Sequence, residues 1–288
     1  MKRTWICRIV SAALCALALA ALPAVAQDAP KRSITEIGEN LYRFQNNFHF
    51  SVFLVTDDGI IATDPINADA AQWLKDQLAE RFGQPVKFLV YSHDHVDHIS
   101  GGEVFADTAT VVAHDKARAT IMGENRPTAV PTLTFSDRMT LTLSGQTVEL
   151  IYVGRGHSDN MIVMNFPNQR VLFAVDFVSV KRLPYRDLSD AYFPDWIDAV
   201  RVVETLDFDV LAPGHGPLGS KEDVVEHRRY LEALYDAVLS ATREGQSLED
   251  MQATIKLEAF SHLDQYGDWL PLNVEGMYRQ VSLHRRGN

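Results

Sequence analysis

The sequence predicts a layered α/β domain, because two runs of short strands are each followed by helices along the chain. In the first half, three short β-like runs precede an amphipathic helix, and a continuous apolar run follows that helix. The second half repeats this mixture and leads into a long amphipathic helix. No tandem repeat or low-complexity linker interrupts residues 34–245. This order favours stacked layers over a barrel, within a single domain.

Turn and cap residues bound the predicted elements of the first half. Residues 41–44, 51–56 and 60–63 are predicted strands, and Asp57-Asp58-Gly59 is the turn between the last two. Residues 68–82 form a predicted helix that ends at Gly83. The apolar run at 86–91 predicts a buried strand, and 110–113 predicts another, before a helix that begins near Lys116.

The second half is divided in the same way. Hairpins are predicted for 139–143 with 147–153 and for 161–166 with 171–175, around Ser144-Gly145 and Pro167-Asn168-Gln169. A helix at 197–205, a strand at 210–212 and a helix at 221–243 follow. The helical tail, from about 246 to 288, starts with the capping residue Ser247. Its apolar residues either cover the domain or meet a second subunit, and the oligomeric state is open.

Residues 1–26 have the layout of an export signal. Three basic residues precede or begin an apolar run over 9–22, and Ala24-Val25-Ala26 offers a cleavage site. This run is shorter than the roughly 20 apolar residues that a spanning helix needs, which disfavours a retained anchor. We expect a mature domain over 27–288, in the periplasm or secreted, with no stable membrane insertion.

Cysteine usage and charge exclude several functions. Both cysteines, Cys7 and Cys15, lie in the signal, so the mature chain has no disulfide, thiolate ligand or cysteine nucleophile. The formal charge of −11 becomes −14 when the three basic residues of the signal leave. Since an acidic surface repels phosphate backbones, we expect a small-molecule substrate and no nucleic acid.

The densest cluster of chemically active residues is His93-Asp94-His95-Val96-Asp97-His98, directly after the predicted strand at 86–91. In an extended stretch, residues two apart point the same way, so His93 and His95 can bind one metal together. Asp97 and His98 come after the chain turns and can face a second metal. Such a cluster is costly to bury unless a cation satisfies it, so the motif indicates a metal site.

Three later segments each carry one ligand-type residue at or after the end of an apolar run. They are Gly156-His157-Ser158, Val175-Asp176-Phe177 and Pro213-Gly214-His215-Gly216. We expect the flanking glycines to let the backbone turn sharply beside the histidines. Each segment alone is a weak signal, but their order after the first motif makes them persuasive.

From about residue 34 to 215, the chain resembles the metallo-β-lactamase superfamily. The motif His-x-His-x-Asp-His, followed by His157, Asp176 and His215, matches that family's whole metal set. The resemblance implies a four-layer αββα sandwich of two mixed β-sheets flanked by helices. It also implies a first zinc on His93, His95 and His157, and a second on Asp97, His98 and His215, with Asp176 bridging both.

The resemblance implies a hydrolase with two Zn²⁺ per chain, although iron or manganese suits the same ligands. Paired metals activate a water, which Asp97 can orient and deprotonate, for attack on a lactone, ester, thioester or β-lactam. The family's secreted β-lactamases usually have Cys or Ser in place of Asp176, so a true β-lactamase is the alternative. A non-hydrolytic metal-binding or redox accessory protein is the less favoured one.

Several neighbours of these motifs have two interpretations. Asp64 either supports the site from beneath or is an ordinary turn residue, and Asp94 is expected to be solvated or to support a ligand. His49 is interpreted as a surface histidine rather than a pocket residue, and His114 as structural. The segment 181–196 is the candidate specificity segment. In one interpretation, Lys181 or Arg182 pairs with a substrate carboxylate, and Tyr185 or Tyr192 donates a hydrogen bond to an oxyanion. In the other, the aromatic residues only pack the segment against the domain and the cations face water.

Overall fold

Two mixed β-sheets form the centre of the computed structural model, which describes residues 29–283. In the seven-stranded sheet, neighbouring strands follow chain order. Its members are β1 (Arg32–Gly38), β2 (Leu41–Asn46), β3 (His49–Thr56), β4 (Gly59–Thr63), β5 (Val86–Val90), β6 (Thr110–His114) and β7 (Leu133–Phe135). The first four strands pair antiparallel, and β4 to β7 pair parallel.

The five-stranded sheet has the order β12-β11-β10-β9-β8. Its strands are β8 (Arg138–Leu143), β9 (Gln146–Tyr152), β10 (Ile162–Phe166), β11 (Val171–Val175) and β12 (Val210–Pro213). Only β11 and β12 pair in parallel. The helices are α1 (Ala68–Phe82), α2 (Val96–Ile99), α3 (Asp115–Gly123), α4 (Asp195–Glu204), α5 (Lys221–Arg243), α6 (Leu248–Thr254) and α7 (Tyr266–Leu283).

Alternate side chains of the central strands enter two different cores. In β4, Ile61 joins the apolar cluster between the sheets, whereas Ile60 and Ala62 pack with α1 and α3. In β10, Ile162 lies between the sheets and Val163 packs with α4, α5 and α7. Since side chains alternate across a strand, each sheet is covered on both faces. The αββα sandwich implied by the resemblance is therefore confirmed.

Elements with clear caps have the predicted bounds. Helix α1, strand β11 and helix α5 span the predicted residues. Helix α1 ends where Gly83 takes φ 63°, and the Gly83 N–H donates to the Ala79 carbonyl. The expected export segment lies outside the described residues, so it stays a prediction. Within residues 29–283, no helix is long and apolar enough to cross a membrane.

The C-terminal tail covers the sandwich, which is one of its two expected positions. Val274 of α7 joins the apolar cluster formed by α4 and α5. Asn273 Nδ2 donates to the Pro184 carbonyl at 3.0 Å. A Cβ on Gly276 would overlap the carbonyl oxygen of Asp187, so helix and loop pack backbone to backbone. Helix α7 thus supports the beginning of the segment 181–196.

Candidate metal centre

The ligand-type residues predicted from the sequence come from four loops at one edge of the sandwich. His93 and His95 follow β5, His157 follows β9, Asp176 follows β11 directly, and His215 follows β12. The last two residues of the first motif, Asp97 and His98, lie in the short helix α2. Because the two sheets stack with these strand ends at the same edge, residues up to 122 positions apart in the sequence, from 93 to 215, lie close together.

The first donor group contains His93, His95, His157 and Asp176, each offering an atom within 4.8 Å of the others. His95 Nδ1 lies 3.2 Å from His157 Nε2. Asp176 Oδ2 lies 3.6 Å from His157 Nε2 and 3.9 Å from His93 Nε2. These are the three histidines predicted for the first metal, and the structure brings them together.

The second donor group contains His98, His215 and the same Asp176. His98 Nε2 lies 3.2 Å from His215 Nε2 and 3.1 Å from Asp176 Oδ2. Asp97 Oδ2 stands slightly further out, 3.6 Å from His98 Nε2 and 3.8 Å from His215 Nε2. Asp176 therefore belongs to both groups, as a bridging carboxylate would.

These spacings fit divalent cations. Four donors at about 2.0–2.1 Å from one tetrahedral ion lie about 3.3–3.4 Å from each other, close to the observed separations. Two buried donor atoms, His93 Nε2 and Asp176 Oδ1, have no hydrogen-bond partner among residues 29–283. Buried polar atoms are rarely left unpaired, so their convergence indicates that a cation satisfies them.

The pKa values of the site residues also suit the binding of a cation. Burial keeps the pKa of His93 well below its ordinary value and lowers the pKa of His157 to about 4, so both imidazoles are neutral donors. Burial also opposes charge on His98, but Asp176 outweighs it and raises the pKa of His98 to about 9. Burial likewise opposes charge on Asp176, yet His98 and His215 hold the pKa of that carboxyl well below its usual range. A metal ion would replace the proton on His98.

Hydrogen bonds to the second ring nitrogen orient two of the ligands, His93 and His215. Ser92 Oγ lies 2.8 Å from His93 Nδ1, and the Ser92 N–H donates to buried Asp64 at 2.8 Å. His215 Nδ1 lies 2.9 Å from the Phe48 carbonyl oxygen. Such partners fix the tautomer and leave Nε2 free for a metal. The prediction that Asp64 lies beneath the site agrees with this placement.

Asp94 is buried, not solvated, and connects two ligand loops. Asn160 Nδ2 donates to Asp94 Oδ1 at 2.7 Å, and the Asp94 N–H donates back to Asn160 Oδ1 at 3.1 Å. Arg126 donates to the other carboxylate oxygen of Asp94 at 3.0 Å. Neither Asn160 nor Arg126 was predicted as a site residue, because an asparagine and an arginine in loops form no recognisable sequence pattern.

The glycines beside the histidines act mostly through close packing. A Cβ on Gly214 would lie 2.8 Å from Val175 Cγ1 and 3.0 Å from His98 Cε1. A Cβ on Gly156 would lie 2.6 Å from a Phe177 ring carbon. Of the expected sharp turns, only Gly216 takes a positive φ, at 92°. At Gly156 and Gly214 the lack of a side chain is needed for packing, because a Cβ there would collide with the walls of the site.

Two residues at the site were interpreted differently or missed. His49, expected at the surface, places Nε2 3.3 Å from Asp97 Oδ2. Asp190 Oδ2 lies 3.5 Å from His95 Nε2, the nitrogen opposite the one that faces His157. A carboxylate on that nitrogen favours Nδ1 of His95 as the metal-facing atom. No spacing in the sequence points to either residue, since His49 begins strand β3 and Asp190 lies in the loop before α4, both remote from the motif.

A groove of about 850 Å³ opens beside the donor groups. Of the segment 181–196, only residues 189–192 line this groove. Tyr192 is therefore in contact with it, whereas Lys181, Arg182 and Tyr185 are not. Arg182 instead stacks on Trp269, 4.6 Å from the ring centroid. The ionisable residues that line the groove are Asp94, His95, Asp97, Glu124, Arg126, Asp159, Asp190 and Tyr192.

The family model for the metallo-beta-lactamase superfamily matches residues 63–215, which include every residue of both predicted zinc sites. The chain belongs to this superfamily. Its members are metal-dependent hydrolases, and the histidine and aspartate groups described above are groups that could hold divalent metal ions. The resemblance read from the motif is therefore confirmed.

Individual relatives of the chain carry names of different activities. The chain is 29% identical over 214 residues to the alpha subunit of a 2,4-dinitroanisole O-demethylase from Nocardioides sp. (strain JS1661), across 73% of this chain and 65% of that protein. It thus spans just under two thirds of that relative. It is 27% identical over 202 residues to a metallo-beta-lactamase type 2 from Elizabethkingia meningoseptica, across 66% of this chain and 80% of that one.

A solved structure has the same fold. The metallo-beta-lactamase from Pontibacter korlensis superposes with a TM-score of 0.64 at 22% identity, over 70% of this chain and 99% of that one. At this identity, the likeness concerns the arrangement of sheets and helices. It agrees with the two-sheet sandwich described above.

Proposed function

We propose that this chain is a binuclear zinc hydrolase that cleaves a carbonyl-type bond, in a lactone, ester or thioester, of a small molecule. The observation that carries the proposal is that Asp176 belongs to both donor groups. A carboxylate shared by two sites is the arrangement that holds two ions close enough to act on one water. When bound, paired zinc ions lower the pKa of a shared water towards about 7 and polarise a carbonyl oxygen.

The residues around the ions have separable tasks. The first position is lined by His93, which is fully buried, and by His95 and His157, whose side chains are each 20% exposed. Burial lowers the pKa of His93 and of His157, so both of these imidazoles are neutral donors. Asp97 is about half exposed, at 47%, and faces His98 and His215 at 3.6 and 3.8 Å. It can therefore accept the proton of the attacking water and orient that water towards the groove. No serine or cysteine nucleophile is needed.

The charge of the groove narrows the substrate. Five carboxylates line it, from Asp94, Asp97, Glu124, Asp159 and Asp190. The cation in its lining, Arg126, is already paired with Asp94 at 3.0 Å and with Glu124 at 2.8 Å. Bound zinc ions would make the reaction centre itself positive, so this field acts on the parts of a substrate that extend along the groove, where it favours neutral or cationic groups.

A β-lactamase is the second candidate, and the similarity to type 2 metallo-beta-lactamases favours it. β-Lactam antibiotics carry a carboxylate, which needs a cationic partner. Arg182 is the available one beside the site, since it lies near Gly216 in the His215 loop and interacts electrostatically with Asp176. It stands outside the groove, however, and Asp176 replaces the Cys or Ser usual in that branch.

A substrate panel tests these alternatives. The zinc-loaded mature protein should be assayed with a neutral aryl ester, a homoserine lactone, S-lactoylglutathione, nitrocefin and, because of the O-demethylase relative, 2,4-dinitroanisole. We expect the highest kcat/KM for a neutral ester or lactone, and rates for the anionic substrates that rise with ionic strength, because salt screens the acidic groove. A kcat/KM for nitrocefin above all the others would replace the proposal with the second candidate.

We also propose that zinc is the native metal and that the protein acts after export, following cleavage behind Ala26. The histidine-rich donor set supports zinc. The N-terminal sequence pattern supports export, and the groove of about 850 Å³, a volume within the range of small-molecule sites, supports a small-molecule partner.

A further inference from the structure

The start of strand β3 is fixed against the loop that carries His215. The Phe50 N–H donates to the Gly214 carbonyl at 2.8 Å, and the Phe48 carbonyl lies 2.9 Å from His215 Nδ1. These two contacts flank His49. Arg43 of β2 adds a third, because its guanidinium donates to the Pro213 carbonyl at 2.8 Å. His49 therefore has a defined position relative to His215.

The side chain of His49 faces the metal centre. Its ring centroid lies 4.7 Å from that of His215 and 5.9 Å from that of His98. Its Nε2 lies 3.3 Å from Asp97 Oδ2, and His49, Asp97 and His215 each offer a donor atom within 4.8 Å of the other two. The imidazole is only partly exposed, at 29%.

These three residues form a donor group that adjoins the second metal position. It shares His215 with the group of His98 and Asp176, which lies deeper in the protein. The separation of 3.3 Å between His49 Nε2 and Asp97 Oδ2 is that of neighbouring donors on one ion, where bonds of about 2.0–2.1 Å at tetrahedral angles give about 3.4 Å. A hydrogen bond at this length would be long, as typical N–H···O contacts are about 2.9–3.0 Å.

We propose that His49 is a ligand of the second metal ion, together with Asp97 and His215. The inference rests on the proposed binuclear function. It makes the β2–β3 hairpin part of the coordination sphere and adds an imidazole on the exposed side of the second site. With Asp97, His98, His215 and Asp176, His49 makes five side-chain donors in the resting site, the upper end of what zinc takes. The shared water of the proposed reaction must therefore displace one of them, and His49, on the exposed side, is the donor that can leave.

The test uses the full mature chain loaded with Co²⁺, in wild-type form and as His49→Ala, His49→Gln and His262→Ala. His262 is a matched control, an exposed histidine that pairs with Glu226 at 2.9 Å away from the site. Calorimetry gives the affinity of each metal equivalent. Proton NMR counts the exchangeable imidazole N–H signals that the cobalt ions shift. Glutamine keeps an N–H donor for Asp97 but removes the imidazole nitrogen.

We expect His49→Ala to weaken the second equivalent at least about 10-fold, to leave the first equivalent unchanged and to lose one shifted imidazole signal. His49→Gln should behave like His49→Ala, and His262→Ala like wild type. Full rescue by His49→Gln, or an unchanged number of shifted signals, would show that His49 only hydrogen-bonds Asp97 and would overturn the inference alone. A wild-type chain that binds a single ion would contradict the binuclear function and the inference together.

Discussion

Replacing Asp176 with alanine is expected to remove metal and activity together. Asp176 is the one carboxylate shared by both donor groups, and its charge faces His98 and His215 at 3.1 and 3.4 Å. Without it, two dications in a partly buried site would repel each other with one anion fewer, which favours loss of the second ion. Removing a residue that only hydrogen-bonds a metal ligand lowers metal affinity or activity about 10–100-fold. Because Asp176 would itself bind both ions, we expect kcat/KM to fall by more than about 100-fold.

The measurement is bound zinc per chain and kcat/KM for the best panel substrate, with Asp236→Ala as the control. Asp236 is an exposed aspartate of α5, remote in sequence from every ligand loop. Asp176→Cys should be milder than alanine, because a thiolate restores the anion and coordinates zinc. If Asp176→Ala kept two ions and near-normal turnover, Asp176 would support the site without bridging it.

Replacing Asn160 with aspartate is expected to disturb the first metal position without touching a ligand. Asn160 and Asp94 exchange two hydrogen bonds at 2.7 and 3.1 Å, and both are buried. Asp94 lies between His93 and His95, while Asn160 lies three residues after His157. A second carboxylate here would face Asp94 in a buried contact, at a cost of about 1–3 kcal/mol or more for an unsatisfied charged group.

Thermal unfolding and chelator competition for zinc check this effect. At about 2–4 °C per kcal/mol for a domain of this size, Asn160→Asp should lower Tm by several degrees. It should also release the first zinc at lower chelator concentration. The double variant Asp94→Asn with Asn160→Asp restores one donor and one acceptor across the contact and should recover part of both losses. Equal Tm and zinc retention in wild type and Asn160→Asp would show that the contact does not position the ligands.

Much of the fold was predictable because its signals are local. Helix α5 has a capping box at Ser220 and Asp223 and a continuous apolar face, and α1 ends at a left-handed glycine. Strand β7 was not predicted, since three residues are too few to show a repeating pattern of apolar positions. Helix α2, at 96–99, was not predicted either, because four residues are too few to show a helical period and most of them belong to the ligand motif.

The candidate site was predictable where residues of unusual type cluster in sequence. The first motif alone indicates metal, and His157, Asp176 and His215 follow from their order after it. Three further residues lie at the centre only because of tertiary contacts, which no sequence spacing indicates: His49, Asn160 and Asp190. Because Cys7 and Cys15 both fall in the predicted signal, the sequence predicts donors of the imidazole and carboxylate type, but the acidity of the groove required the assembled fold.

Metal stoichiometry tests the central claim most directly. The mature chain should be purified without chelator, dialysed against limited free zinc and measured by elemental analysis against a protein concentration from amino-acid analysis. The two donor groups joined by Asp176 predict a content approaching two zinc ions per chain. A content that stays at one ion per chain in excess zinc would contradict the binuclear centre.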